Sequence, residues 1–258
     1  MAWRHRWLLL SFTRREILNR YVGSVGGLGW ALAHPLALLA VYGLVVTAIF
    51  RVRLPPDLGT ASYMAFVAVT LWPWLMFAEA LDRGMRSVQA SGDLIRKIAF
   101  PRHLLVTSAV LACFALHAGG YLLVLFVLRA LGEPIHLAGL PWAFVLLAFL
   151  GAGTIGLAAF LATLQVLLRD VAQVVAVAMS VLFYVTPVLY PASLVPAAFR
   201  PWLDANPLTW VVERLREVML TGAGPSVIDA GIAAGALVVL AAGLWVFNRA
   251  SPYFEDYL

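Results

Sequence analysis

Residues able to do covalent chemistry are few in this sequence, and none forms a reactive set. Glu79 and Asp82 sit three apart, each with an arginine four residues on, Arg83 and Arg86. That spacing gives two i,i+4 ion pairs at a helix end, which we favour over a proton relay. The five histidines, at 5, 34, 103, 117 and 136, lack metal-ligand spacing with carboxylates or with the single cysteine, Cys113. His34 and His117 fall in apolar runs, where packing or an interhelical hydrogen bond is the ordinary role. Lys97 is the only lysine, with no GK[ST] around it, so no P-loop cradles a nucleotide. Too few ionisable groups lie in the apolar runs for transport driven by an ion gradient. What remains is mechanical chemistry, in which energy arrives from outside the chain.

The stretch suited to receive it is Ser91–His103, SGDLIRKIAFPRH. Leu94, Ile95, Ile98 and Phe100 alternate with Arg96, Lys97 and Arg102, and Asp93 opens the run. Apolar residues three and four apart predict a short amphipathic helix, stopped at Pro101. A separate ATPase pushing on this cytoplasmic knob is the simplest energy source.

The elements that hold the knob are membranous. The chain has 258 residues, 63% of them hydrophobic and 12% charged. A soluble domain carries about a quarter charged residues. Runs of roughly twenty apolar residues recur, as a spanning helix needs, and no barrel-like alternation is present. We expect six spans, at about Leu28–Phe50, Tyr63–Leu81, Leu104–Leu128, Trp142–Leu168, Val171–Tyr190 and Val227–Phe247. His34-Pro35 predicts a kink in the first. Arg51, Arg53, Pro55 and Pro56 form the first loop, Arg169-Asp170 a tight turn, and 248–258 a short polar tail. Lys and Arg flanking the expected inner ends number twelve, against six on the other side. The bias puts both termini and the knob in the cytoplasm. It also accounts for the net charge of +5 without nucleic acid.

Residues 1–24 mix Arg4, Arg6, Arg14, Arg15 and Arg20 with Trp3, Trp7, Ile17 and Tyr21. That suits a helix lying in the membrane interface, or an ordinary positive flank. Its apolar core is too short for a signal peptide. Between the fifth and sixth spans, 191–224 holds segments too short or too charged to span. Leu208, Trp210, Val211, Val212, Leu215, Val218 and Met219 recur at helical spacing, leaving Glu213, Arg214, Arg216 and Glu217 for a polar face with Glu213–Arg216 as its favourable pair. Re-entrant helices and a helix lying flat both fit. Aromatics crowd the spans, among them Trp30, Tyr42, Phe66, Trp72, Trp74, Phe77 and Tyr184. They could line a glycan conduit by stacking on sugar rings, or form interfacial belts and packing.

Several motifs occur in one order along almost the whole chain. They are Arg15-Glu16, Arg20-Tyr21, Gly23-Ser24, Gly29-Trp30 with Pro35, Trp72-Pro73-Trp74, Leu94-Ile95-Arg96-Lys97 with Phe100-Pro101-Arg102, Arg169-Asp170, Thr186-Pro187-Val188 with Tyr190-Pro191, and Asn206-Pro207-Leu208. In this the sequence resembles the ABC-2 type permeases that export polysaccharides and polyol phosphates. The resemblance implies one all-α transmembrane domain over 1–258, a homodimer in the bacterial inner membrane, and two copies of a separate ABC ATP-binding subunit. ATP and magnesium would be held there, and no cofactor by this chain. It implies a coupling helix at 91–103 (Asp93 to Lys97, Phe100 to Arg102), an interface or gate helix at 1–24 (Arg14, Arg15, Arg20, Tyr21), and re-entrant closure of the outer mouth by 191–220. The cargo would be a lipid-linked polysaccharide, of O-antigen, capsule or teichoic acid type. Val22 departs from the basic residue frequent there. An ABC-2 exporter of a small lipid or drug, and a membrane enzyme acting on lipid-linked sugars, are the rivals. The enzyme would need Asp204, Glu213 or Glu217.

Overall fold

The computed structural model describes residues 5–20, 23, 26–27, 29–45, 61–98 and 100–257. Tyr21, the first loop with Arg51 and Arg53, and the end of the first expected span lie outside them.

The described residues form an all-helical bundle without strands: α1 (Arg6–Asn19), α2 (Gly29–Leu44), α3 (Tyr63–Ala90), α4 (Gly92–Lys97), α5 (His103–Ala130), α6 (Leu140–Leu167), α7 (Val171–Val185), α8 (Arg200–Ala205), α9 (Pro207–Arg216) and α10 (Val227–Ala250). Four of these, α3, α5, α6 and α10, are long and apolar enough to cross a membrane. The second expected span was placed too short. α3 runs unbroken through Pro73 to Ala90 and carries Glu79, Asp82, Arg83 and Arg86 within it. Its charged end pays no penalty for helix formation, because Arg83 and Arg86 reach back to Glu79 and Asp82 at 2.8 Å each.

α3 is the central post, buried along most of its length by α5, α6 and α9. Close approach elsewhere depends on small residues, as expected where lipid offers no hydrophobic drive between helices. α6 and α10 cross with backbones in contact: a Cβ on Gly243 would lie 1.9 Å from the Gly156 carbonyl oxygen. On α5, Gly120 leaves the space filled by the Trp72 indole, whose Nε1 donates to the His117 carbonyl at 3.0 Å.

α7 is shorter than the expected fifth span. It stops at Val185 because Thr186-Pro187 cannot continue a helix, and fifteen residues rise only about 22 Å. The segment from Arg169 to Leu189 nevertheless meets neighbours near both ends of α3. At one end Gln165 bonds Gln89 and the Arg169 carbonyl. At the other, Leu189 accepts from the Tyr63 hydroxyl at 2.9 Å. α2 is helical through Pro35, which is buried.

Candidate functional site

Two clusters of buried polar side chains, toward opposite ends of α3, stand out among the described residues. The first is the hairpin formed by α8 and α9. Asn206-Pro207 at its tip starts α9 by two devices: the Asn206 Oδ1 accepts from the Leu208 amide at 3.0 Å, and proline occupies the first turn. Leu208 lies with Trp74, Phe77 and Leu150 around a narrow crevice, well inside the bundle. The other end of the hairpin is level with the α6 entrance, where His136 donates from its backbone to the Met219 carbonyl at 2.9 Å. A π-helical turn over Glu217–Thr221 ends there on Gly222, whose φ of +71° suits glycine.

The four charged residues expected on one face of α9 divide: Glu213, Arg216 and Glu217 border one pocket, and Arg214 turns away to α10. Arg214 and Arg216 are 3% and 5% exposed, and they serve different partners. Arg214 grips Asp229 of α10 with two bonds, 2.7 and 3.1 Å, and also pairs with Glu217 and the Gly224 carbonyl. Trp142 Nε1 and the Ser226 amide complete the shell around Asp229 at 2.8 and 2.7 Å. Arg216 turns the other way. Its guanidinium stacks 3.7 Å over the Phe66 ring and donates to the Pro187 carbonyl at 2.9 Å, with longer bonds to Val188 and Thr70. The Thr70 hydroxyl donates in turn to Val188, and Asn206 Nδ2 to the Thr186 hydroxyl. The Pro187 and Val188 carbonyls, in the non-helical stretch after α7, thus take their donors from α9 and α3. The environments move the two guanidinium groups apart. Bonds from Asp229 and Glu217 raise Arg214, whereas burial lowers Arg216, offset in part by Glu213. Burial likewise raises the Glu213 carboxyl. Arg216, Glu213 and Glu217 reach a side pocket of about 190 Å³ that also meets Ser193 and Thr221.

The second region lies near the other end of α3. Glu79 accepts from Arg83, from His117 Nε2 at 2.8 Å, and from Arg20 just past α1. The pairs with Arg83 and Arg86 match their spacing in the chain; the bonds from α1 and α5 did not show in it, because they join residues 59 and 38 positions apart. Arg20 is therefore turned inward, unlike Arg14 and Arg15, which are exposed. α1 lies along α5, with Phe12 edge-on to Phe100 at 5.6 Å. Its outward side shows Trp7, Leu10 and Leu18 among its arginines.

The expected coupling helix is shorter than its sequence pattern. α4 ends at Lys97, and Ile98 is extended and 58% exposed. A six-residue helix propagates poorly, and the chain beyond must bring Phe100 to Phe12. Ile95 anchors α4 in the bundle, with Leu94 half-buried, while Asp93, Arg96 and Lys97 point outward. Arg102 is not on that outward face: it binds the Ser251 carbonyl and Glu255. The tail expected to be only polar buries Phe254 against Phe247.

The seven aromatics divide. Phe66, Trp72, Trp74 and Phe77 are core residues, at most 6% exposed, because α3 is enclosed. Trp30 on α2 and Tyr184 on α7 face outward, with Tyr42 half-buried against Phe183.

Comparisons with known proteins agree with one another. The model of the ABC-2 type transporter family matches residues 8–220. The chain is 29% identical to the O-antigen export system permease protein RfbA of Myxococcus xanthus, over 98% of its length and 94% of that protein's. It is 26% identical to the RfbA of Klebsiella pneumoniae, over 97% and 95%. It is 23% identical to the polysialic acid transport protein KpsM of Escherichia coli, over 81% and 79%.

Proposed function

The chain belongs to the ABC-2 type transporter family, and from that premise we propose that it is the permease subunit of an ATP-driven exporter. Its cargo is a lipid-linked polysaccharide of the O-antigen type, carried from the cytoplasm across the bacterial inner membrane. The chain binds no nucleotide itself. ATP and magnesium belong to a separate ABC ATP-binding subunit, two copies of which join a homodimer of this chain. The observation that carries this reading is α4, a charged knob set between two long apolar helices, its one buried side chain Ile95 and its outer residues Asp93, Arg96 and Lys97. Likeness over nearly the full length to O-antigen export permeases supplies the cargo class.

Six passages fit this role. α2 and α7 join the four long helices, α7 by running on through Thr186–Leu189. The α8–α9 hairpin is re-entrant from the outer side, its backbone met within the protein where Asn206 caps Leu208 and the Trp210 indole donates to the Asp204 carbonyl. α1 lies in the inner interface, and both termini are cytoplasmic. The apolar side of α7 formed by Val174, Val177, Val181 and Tyr184 is more than half exposed and supports pairing with a second copy. Trp30, Tyr42 and Tyr184, on α2 and α7, are then the aromatics placed to meet a glycan between copies.

The test is ATP turnover in nanodiscs, by the chain alone and with the ATPase encoded beside it, together with glycan export in cells. The pair should turn over ATP and the chain alone should not. Arg96→Glu with Lys97→Glu should abolish export while the protein still inserts and purifies normally. Unchanged export in that variant would remove α4 as the coupling element.

A further inference from the structure

The knob is braced by a segment far away in sequence. Arg102 leaves the outward face of α4 and donates both to the Ser251 carbonyl and to Glu255 Oε1. Phe254, between these partners in sequence, is 1% exposed and meets Phe247 of α10 edge to face at 5.2 Å. The short 3₁₀ segment Ser251–Asp256 is thus held twice, by a charge-assisted contact to the coupling loop and by a buried ring against α10. Its other side is open. Tyr253 and Tyr257 are 64% and 60% exposed, and Glu255 keeps half of its side chain uncovered. The segment touches α4, whose uncovered residues are Asp93, Arg96 and Lys97, with exposed Ile98 just beyond. It lies beyond residue 220, where the family match ends.

We infer that Ser251–Tyr257 completes the surface on which the ATP-binding subunit docks, and that Arg102 is the positioning residue joining its two halves. The inference rests on the reading of α4 as the coupling element. Tyrosine and arginine are enriched in protein interfaces, so Tyr253, Tyr257 and Arg96 suit the centre of one, with Asp93, Lys97 and Glu255 at its polar rim. A lipid surface fits less well, since anionic headgroups repel Glu255 and Asp93. The brace also has a mechanical consequence. Six helical residues alone unravel readily, so a push on α4 would be lost locally. Through Arg102 it reaches α10, which is locked to α6 by the backbone contact of Gly243 with Gly156.

The experiment uses Tyr253→Cys and Lys97→Cys, each with Cys113→Ala, in nanodiscs open on both faces. A polar maleimide is applied with and without the co-expressed ATP-binding subunit. Both cysteines should react quickly in the chain alone and several-fold more slowly in the complex. Adding Arg102→Ala, or the milder Glu255→Gln, should restore fast labelling at 253 and leave 97 protected. Protection at 97 without any at 253 overturns the inference and leaves α4 as the coupling element. Protection at neither position overturns both. Protection at 253 that survives both latch variants removes Arg102 from the positioning role.

Discussion

Arg214 and Arg216 stand two positions apart on one helix, yet one is a structural clasp and the other a cap. Arg214 and Asp229 are each about 96% buried and paired through two bonds, with Trp142 and Ser226 satisfying the rest of the carboxylate. Removing one partner leaves an uncompensated buried charge, which costs about 3–5 kcal/mol. Asp229→Ala should therefore lower the thermal midpoint of the detergent-solubilised protein steeply. Arg214→Met combined with Asp229→Leu should recover much of that loss; a double variant no better than Asp229→Ala would show that the pair does not act as a unit. Glu213 offers a pH test. Burial raises its folded value above the ordinary 4.5, so its contribution is fully present below that pH and is lost as pH rises through the folded value. Glu213→Gln should thus stabilise the protein at neutral pH and leave it little changed in acid. A Gln variant less stable at neutral pH than the parent would contradict the assignment.

Among the elements, the α6–α10 crossing is the least forgiving. Gly156 and Gly243 bring two backbones together with no room for a side chain, as the 1.9 Å and 2.3 Å approaches of an added Cβ demonstrate. Gly243→Val should separate the helices and cost about 1–3 kcal/mol or more, as overpacking does. It should be read as loss of folded protein on size exclusion. Gly235→Ala, on the same helix with open space around it, should be silent. At the opposite extreme is α4, too short to persist without Ile95 buried beneath it. Ile95→Ala should loosen it, seen as faster amide exchange over 92–97, while the long helices keep their protection.

At the scale of the molecule, the ends of α3 divide the structure into two faces. α1, α4, the α6–α7 turn and Ser251–Asp256 sit at the face near Ala90, and Ser62, Glu133, Leu189 and His136 at the other. If the positive side is cytoplasmic, single cysteines replacing Lys97 and Arg169 should be labelled from the cytoplasm, and one replacing Ser193 from outside. Labelling of Arg169→Cys from outside would break the six-passage arrangement. Glu79 ties the face together by holding α1 to α3 and α5. Glu79→Gln should weaken the hold on α1 and make it more susceptible to protease, with the long helices intact.

What the sequence alone determined was mostly local. Apolar length set the four long helices, the i,i+4 spacing set the Glu79–Arg83 and Asp82–Arg86 pairs, and proline set the start of α9; α7, expected to reach Tyr190, ends instead before Thr186-Pro187. The order of short motifs was enough to bring the family into view. The tertiary structure decided what depends on which helix lies beside which. Helical spacing put Arg216 on a polar face, but that face meets the non-helical stretch after α7, whose Pro187 and Val188 carbonyls take the guanidinium as donor. The aromatics of α3 were candidates for a conduit with packing as the stronger alternative for each, and α3 is the enclosed helix, so Phe66, Trp72, Trp74 and Phe77 pack. Arg102 looked like part of the knob, but its partner lies about 150 residues on in the chain. No pattern within one helix can encode such a contact, because side-chain periodicity fixes a direction around an axis and says nothing of the neighbour found there.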